Sequence, residues 1–162
     1  MTTGVRIALV GPAGCGKTTI GSRLAARLGV PFVDADDLHS VANRERMARG
    51  QPLDDAARAP WLAAVNARVR VLPGFVLACS ALRAAYRERL AAGVAGLRWV
   101  HLVVPPAELA RRLGQRVHFF PPSLLASQLT TWEPLADGVQ VEATAEPDAV
   151  VDAIVRSLPP AG

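Results

Sequence analysis

Lysine is nearly absent from this chain. Of its 18 cationic side chains, 17 are arginine and one, Lys17, is lysine. Cysteine is scarce as well: Cys15 and Cys79 are the only two, which excludes the disulfide framework of a small secreted domain and fits a reducing, cytoplasmic setting. No apolar run approaches the ~20 residues that a membrane-spanning helix needs. No basic start followed by an apolar core marks a signal peptide, so no membrane partner is expected. Aromatic residues are few, with a single tyrosine. The net charge is +4, but the arginines are spread along the chain and no RNA-binding aromatic signature accompanies them, so nucleic acid is not expected as a partner. Repeats and low-complexity tracts are lacking. What remains, 51% hydrophobic and 20% charged residues over 162 positions, is the composition of one folded domain large enough to bury a core.

The one lysine stands in Gly11-Pro12-Ala13-Gly14-Cys15-Gly16-Lys17-Thr18, which matches the phosphate-loop pattern G-x-x-x-x-G-K-[ST] without a mismatch. The apolar run Val5 to Val10 before it reads as a buried strand. Thr19 to Leu28 after it, with Ile20, Leu24 and Leu28 at i, i+4 and i+8, reads as a helix. In that setting glycines let the backbone wrap a phosphate chain, and the helix offers its unpaired N–H groups and positive dipole end. The nucleotide-binding set is therefore Gly11, Ala13, Gly14, Cys15, Gly16, Lys17, Thr18 and Thr19. Lys17 reaches the β- and γ-phosphates, and the Thr18 hydroxyl holds Mg²⁺. Cys15 has two readings: a thiol activated by the helix N-terminus and protected by ATP against modification, or a small residue that only fills the loop.

Downstream, Val30 to Val33 forms a second short strand that ends in Asp34-Ala35-Asp36-Asp37. Carboxylates at the carboxyl end of a strand lie where open α/β sheets bind ligands. One of them can orient or deprotonate an attacking hydroxyl, or hold Mg²⁺ through water. An Asp-rich helix cap is the alternative. Asp36 is assigned the chemistry and Asp37 the turn. Residues 38–72 are polar, with a helix over Val41 to Arg49 and another that starts near Pro60 and runs to about Val71; they form an expected acceptor-binding lobe. A third strand, Phe75 to Cys79, precedes a helix over Ala84 to Ala92, and Leu97 to Val103 is a fourth strand in which His101 is a packing residue. A helix over Ala107 to Arg116, a loop and a second helix from Ser123 to Thr131 suggest a lid over residues 112–126. Its arginines, Arg111, Arg112 and Arg116, could neutralise a phosphoryl group or stack on a base. Val139 to Val141 is a weak fifth strand, and Pro147 starts the last helix. The alternation predicts a three-layer α/β fold, a mainly parallel five-stranded sheet flanked by helices.

A larger set of residues acts together. It comprises the loop Gly11 to Thr18, Asp34-Ala35-Asp36 with Leu38-His39, Asn43 with Arg46-Met47, and Gly50 with Pro52-Leu53. It continues through Asp55, Arg58 with Pro60-Trp61-Leu62, Cys79 to Arg83 with Tyr86-Arg87, and Arg112. The last members are Arg116 with His118-Phe119, Leu124-Leu125 with Ser127-Gln128, Thr131 and Glu133-Pro134-Leu135. Over almost the whole chain this resembles the gluconate kinases (gluconokinases), P-loop small-molecule kinases related to shikimate kinase. The resemblance implies a single P-loop kinase domain over residues 1–162 that uses ATP and Mg²⁺ to convert D-gluconate to 6-phospho-D-gluconate. It implies Lys17, Asp36 and Arg116 as catalytic residues and Arg112 and Arg116 as lid contacts to the nucleotide. Asp36, His39, Arg58, Ser80 and Arg83 would face the acceptor, and Thr18 and Asp36 the metal. A homodimer is in keeping with such kinases. The alternatives are a kinase for another small sugar acid or a shikimate-like acceptor, and an ATP-binding protein without catalysis. The chain departs from the family pattern at Ala35 (usually Gly), at Ala57 (usually Asp), at Arg116-Val117-His118, which is one residue shorter and lacks a Gly, and at Asp137-Gly138, where an acidic pair is usual.

Overall fold

Strands that are apolar at every position must be covered on both faces, and the arrangement of this chain follows from that requirement. A computed structural model describes residues 4–114 and 124–158. In order, these form β1 (Arg6–Val10), α1 (Lys17–Leu28), β2 (Phe32–Asp34), a 3-10 turn (Ala35–Leu38), α2 (Val41–Ala48), α3 (Asp55–Val69) and β3 (Phe75–Ala78). Then come α4 (Ala84–Ala91), β4 (Arg98–Val103), α5 (Pro106–Gly114), α6 (Leu125–Thr131), β5 (Val139–Glu142) and α7 (Pro147–Ser157). The sheet order is β2-β3-β1-β4-β5 and every pairing is parallel. β1 is central, with Leu9 opposite Ala78 on one side and Val10 opposite His101 on the other. The chain reverses its direction of travel across the sheet beside β1, which opens a crevice at the carboxyl ends of the strands.

The period of two along β1 divides the core. Ile7 and Leu9 face α1, α5 and α7 through Ile20, Leu24, Leu109 and Ile154. Ala8 and Val10 face α3 and α4 through Leu62, Val65 and Leu90. Ion pairs from Arg23 to Asp148 (3.0 Å) and Arg27 to Asp152 (2.6 Å) join α1 to α7, but both are solvent-exposed and add little to what packing supplies. Among the described residues no helix is long and apolar enough to cross a membrane.

The expected elements are present, with shifts at their ends. β2 begins two residues late, at Phe32, because Pro31 has no N–H to give; its carbonyl instead accepts from Val76 N at 2.9 Å. α3 begins at Asp55 rather than near Pro60, because the Asp54 carboxylate caps it by accepting from Ala57 N at 2.7 Å. Pro60 therefore lies inside the helix. It is on the exposed side, where water can serve the Ala56 carbonyl that the proline leaves without a donor.

One buried polar side chain holds α3 to α4. Asn66 donates through Nδ2 to the carbonyls of Leu90 (2.9 Å) and Ala92 (2.8 Å) where α4 ends. Asn66→Ala leaves those acceptors without a donor, and should lower stability by about 1–3 kcal/mol. The urea midpoint of unfolding should fall at unchanged slope.

Candidate phosphate and acceptor site

The loop between β1 and α1 is shaped by residues whose backbone other side chains could not adopt. Gly11, Gly14 and Gly16 have φ of 147°, 88° and 96°. A Cβ on Gly11 would also lie 2.9 Å from Cys15 Sγ and 3.2 Å from the Leu102 carbonyl. α1 starts at Gly16 with no side-chain cap and no acidic residue in its first turn, so its N–H groups and positive end are left for an anion. Lys17 folds back over the loop, donating from Nζ to the carbonyls of Gly11 (2.7 Å) and Pro12 (3.1 Å). Loop amides, a helix N-terminus and a mobile ammonium together fit a phosphate chain.

The Thr18 hydroxyl donates to Asp34 Oδ2 at 2.8 Å, and Asp34 Oδ1 accepts from Asp36 N at 3.0 Å. Asp34 thus links α1 to the turn that carries Asp36. Lost hydration pushes the Asp36 carboxyl up to about 6; Asp34 and Asp37 add to the rise, while Lys17 and Arg44 oppose it. Arg44 also donates to the Asp36 carbonyl at 2.7 Å. His39 lies flat on Trp61, with ring centroids 4.0 Å apart, and the indole is fixed by donating to the Ala35 carbonyl at 2.7 Å. Burial, then Arg44 and Arg58, lower His39 to about 4, so its imidazole is neutral at pH 7 and can donate from one nitrogen and accept at the other.

On the facing wall Arg58 donates to the Tyr86 hydroxyl at 2.6 Å, and that hydroxyl donates to Asp55 at 2.9 Å. Desolvation first, and then the bond to Asp55, raise the tyrosine pKa. The turn after β3 completes the wall. Ala81 there has φ of +40°, and the buried guanidinium of Arg87 holds it by donating to the Ala81 carbonyl at 2.8 Å.

One cleft joins these groups. Its lining includes Ala13, Gly14, Gly16, Lys17 and Thr18 from the loop, and Asp36, His39, Arg58 and Ser80 from the expected acceptor side. Gly11 is buried behind the loop, and Thr19 is exposed on α1. Arg83 is not among the lining residues; it is exposed at the N-cap of α4. Nor is Arg112, whose guanidinium donates to Gly14 O (3.1 Å), Ala143 O (3.0 Å) and Glu108 Oε1 (3.1 Å) and so props the loop from outside. Arg116, His118 and Phe119 lie outside the described residues. Asp34, Trp61, Tyr86 and Gln128 all stand among the residues that carry the family resemblance, but no role follows for them from the sequence. Asp34 has a local signal besides, as the carboxylate that ends β2. The Cys15 thiol is fully buried and packs into the core, so it fills the loop and is not an accessible nucleophile.

Among the described residues no group of three or more His, Cys, Asp or Glu side chains could hold a metal. Mg²⁺ keeps waters and phosphate oxygens and takes few protein ligands. Thr18, with Asp34 hydrogen-bonded behind it, has the oxygen chemistry for that place.

A parallel sheet with a phosphate cradle at its switch point, opening onto a polar side pocket, defines a P-loop kinase of small molecules. The shikimate kinase family model matches residues 13–155. The chain is 43% identical over 158 residues to the gluconokinase of Gluconobacter oxydans, covering 93% of this chain and 89% of that protein. Its structure matches a gluconokinase from Sinorhizobium meliloti with a TM-score of 0.83 and 35% identity, over 94% of this chain and 90% of that one. It matches a sugar kinase from Janibacter with a TM-score of 0.86 and 33% identity, over 94% and 93%. The chain belongs to the gluconokinase family within the wider shikimate kinase group.

Both thiols are buried, and burial pushes Cys79 up to about 12. An aromatic disulfide reagent should therefore find no reactive thiol in the native protein and both after denaturation. Rapid native labelling that ATP suppresses would restore the activated reading of Cys15.

Proposed function

We propose that this enzyme transfers the γ-phosphoryl group of ATP to the 6-hydroxyl of D-gluconate, forming 6-phospho-D-gluconate and ADP. The observation that carries this is a cleft lined together by the P-loop, Asp36 and Arg58, in a chain whose relatives bear the name gluconokinase. Asp36 accepts the hydroxyl proton as the oxygen attacks phosphorus and the bond to the ADP oxygen breaks. A carboxyl poised near 6 is ionised at pH 7 yet basic enough to take that proton. Lys17 exchanges its two loop carbonyls for phosphate oxygens. Thr18, and Asp36 through water, would hold Mg²⁺, which would neutralise phosphate charge. Arg58 supplies the positive charge that the gluconate carboxylate requires, His39 and Ser80 bond its hydroxyls, Arg112 serves the nucleotide indirectly by holding the loop at the Gly14 carbonyl, and Arg116 serves it from the lid; Arg83, which does not line the cleft, is not part of this set. The same proposal takes the chain as one kinase domain, with residues 38–72 as the acceptor lobe, residues 112–126 as the lid, a cytoplasmic location and a homodimeric state.

ADP release measured over gluconate, shikimate and related sugar acids tests the acceptor. Gluconate should lead in kcat/KM by at least about tenfold; a better acid would replace it, and ATP binding without acceptor-dependent turnover would remove the enzymatic reading.

Asp36 makes a second test. In wild-type protein kcat/KM should fall about tenfold per pH unit below about 6 as the carboxyl protonates. Asp36→Asn should cost roughly 10²–10⁴ in kcat and abolish that acid limb. It should also raise stability at pH 7 by about 1–3 kcal/mol, because the native state then no longer holds a poorly hydrated charge. Calorimetry showing the variant to be less stable would count against the poised carboxylate.

A further inference from the structure

The helix α6 reaches the P-loop through one side chain. Gln128 Oε1 accepts from the Ala13 amide at 2.6 Å, across 115 residues of sequence. Because a backbone N–H can only donate, this contact fixes which end of the carboxamide faces the loop. The amide nitrogen, Nε2, is then turned away from Ala13. Among the described residues it has no protein partner, and Gln128 lines the same cleft as Lys17 and Asp36, with Ser127 and Thr131 of α6 beside it. α6 itself is seated: Leu124 at its start packs on Met47 and Leu53, and Trp132 at its end has Arg87 stacked on its ring at 4.7 Å. The side chain is thus held at its root by α6 and at Oε1 by the loop.

We propose that Gln128 is a catalytic residue of the phosphoryl transfer, its Nε2 donating to the oxygens of the group in transit while Oε1 stays on Ala13. The inference rests on the kinase reaction proposed above. Negative charge spreads over those oxygens as the phosphoryl group passes between donor and acceptor. A neutral donor that is already aimed needs no reorganisation at that moment and adds no positive charge to compete for the gluconate carboxylate. The anchor through Oε1 also makes the group report on the loop, since the donor is in place only when the Ala13 amide is.

Gln128→Glu separates donor from anchor. The carboxylate accepts from Ala13 as well as the carboxamide does, but presents oxygen where the donor stood. The donor role predicts a loss of roughly 10²–10³ in kcat with unchanged melting temperature. A purely structural anchor predicts kcat within about threefold of wild type, and that result overturns the proposal. Gln128→Met, which keeps length and removes the charge question, is the second variant. Loss of kcat at constant KM for ATP supports the donor role, while a raised KM for ATP with kcat retained assigns only the anchor and overturns it. Both variants are compared on whichever acid the wild-type protein turns over best. Failure of gluconate as that acid therefore changes the acceptor assignment alone, and retained kcat in Gln128→Glu removes Gln128 alone.

Discussion

The hydrogen bond from the Thr18 hydroxyl to Asp34, 2.8 Å long, ties together parts of the chain that the sheet alone would leave independent. Thr18 belongs to the first turn of α1 and Asp34 to the last residue of β2, and the two strands that deliver them are separated in the sheet by β3. The second oxygen of the same carboxylate accepts from Asp36 N and caps the 3-10 turn. One side chain therefore fixes the direction of the proposed metal ligand and the start of the turn that carries the proposed base. The phosphate half and the acceptor half of the cleft share this residue, so moving it would disturb both. The parallel register of β2 on β3 and of β3 on β1 makes the contact possible, with Asp34 opposite Ala78 and Ala78 opposite Leu9.

Around that bond the site stores electrostatic tension of two opposite kinds. Asp36 is held above its ordinary value and His39 below it, both because burial penalises charge. Their effects on stability run in opposite directions. Between pH 3.8 and about 6 the native state binds more protons at Asp36 than the unfolded chain does, so stability falls there as pH rises. Between about 4 and 6.5 the unfolded chain binds more protons at His39, so stability rises with pH over that window. The two windows largely overlap and the two contributions largely offset one another. Acid sensitivity should therefore be much plainer in catalysis than in unfolding. At pH 7 only the first of the two groups carries a cost: a cleft that keeps the Asp36 carboxylate poorly hydrated gives up native-state stability for the proposed chemistry, as functional sites commonly do.

Much of this was legible in the sequence, and the parts that were not have a common cause. The glycine loop, the five strands and the placement of Asp36 at the carboxyl end of β2 follow from local pattern and from the rule that ligands gather there; His39, Arg58 and Ser80 are expected at the acceptor only from the resemblance to the gluconate kinases, and all three line the cleft. The start of α3 was misplaced because Pro60 was read as an N-terminal signal, while the cap at Asp54 outweighed it. The neighbours of Arg112 in sequence suggest a lid arginine; in the folded chain its three acceptors lie on the loop, on its own helix and before α7, and no local pattern foretells that set. Gln128 is 115 residues from Ala13, and nothing in a helical repeat says which polar residue will meet a distant amide. Cys15 sat in an activating pattern, but the loop turns its side chain into the core. Local signals thus located groups, and long-range packing decided which way each one pointed.

The departures from the family pattern can be weighed by what surrounds them. Ala35 stands where glycine is usual, yet it is not among the residues with positive φ. It is fully buried, and its carbonyl receives the Trp61 indole, so a methyl group fits and the backbone needs no glycine there. Ala57 stands where aspartate is usual. Its side chain packs against the Met47, Leu53 and Leu124 cluster, where an unpaired carboxylate would lose hydration without gaining a partner. The nearest carboxylate to Arg58 in this region is Asp55, 3.9 Å away and already occupied by the Tyr86 hydroxyl. With that carboxylate engaged by the tyrosine, the Arg58 guanidinium, which also lies over the Tyr86 ring at 4.6 Å, keeps its charge available to the anionic acceptor proposed for the cleft.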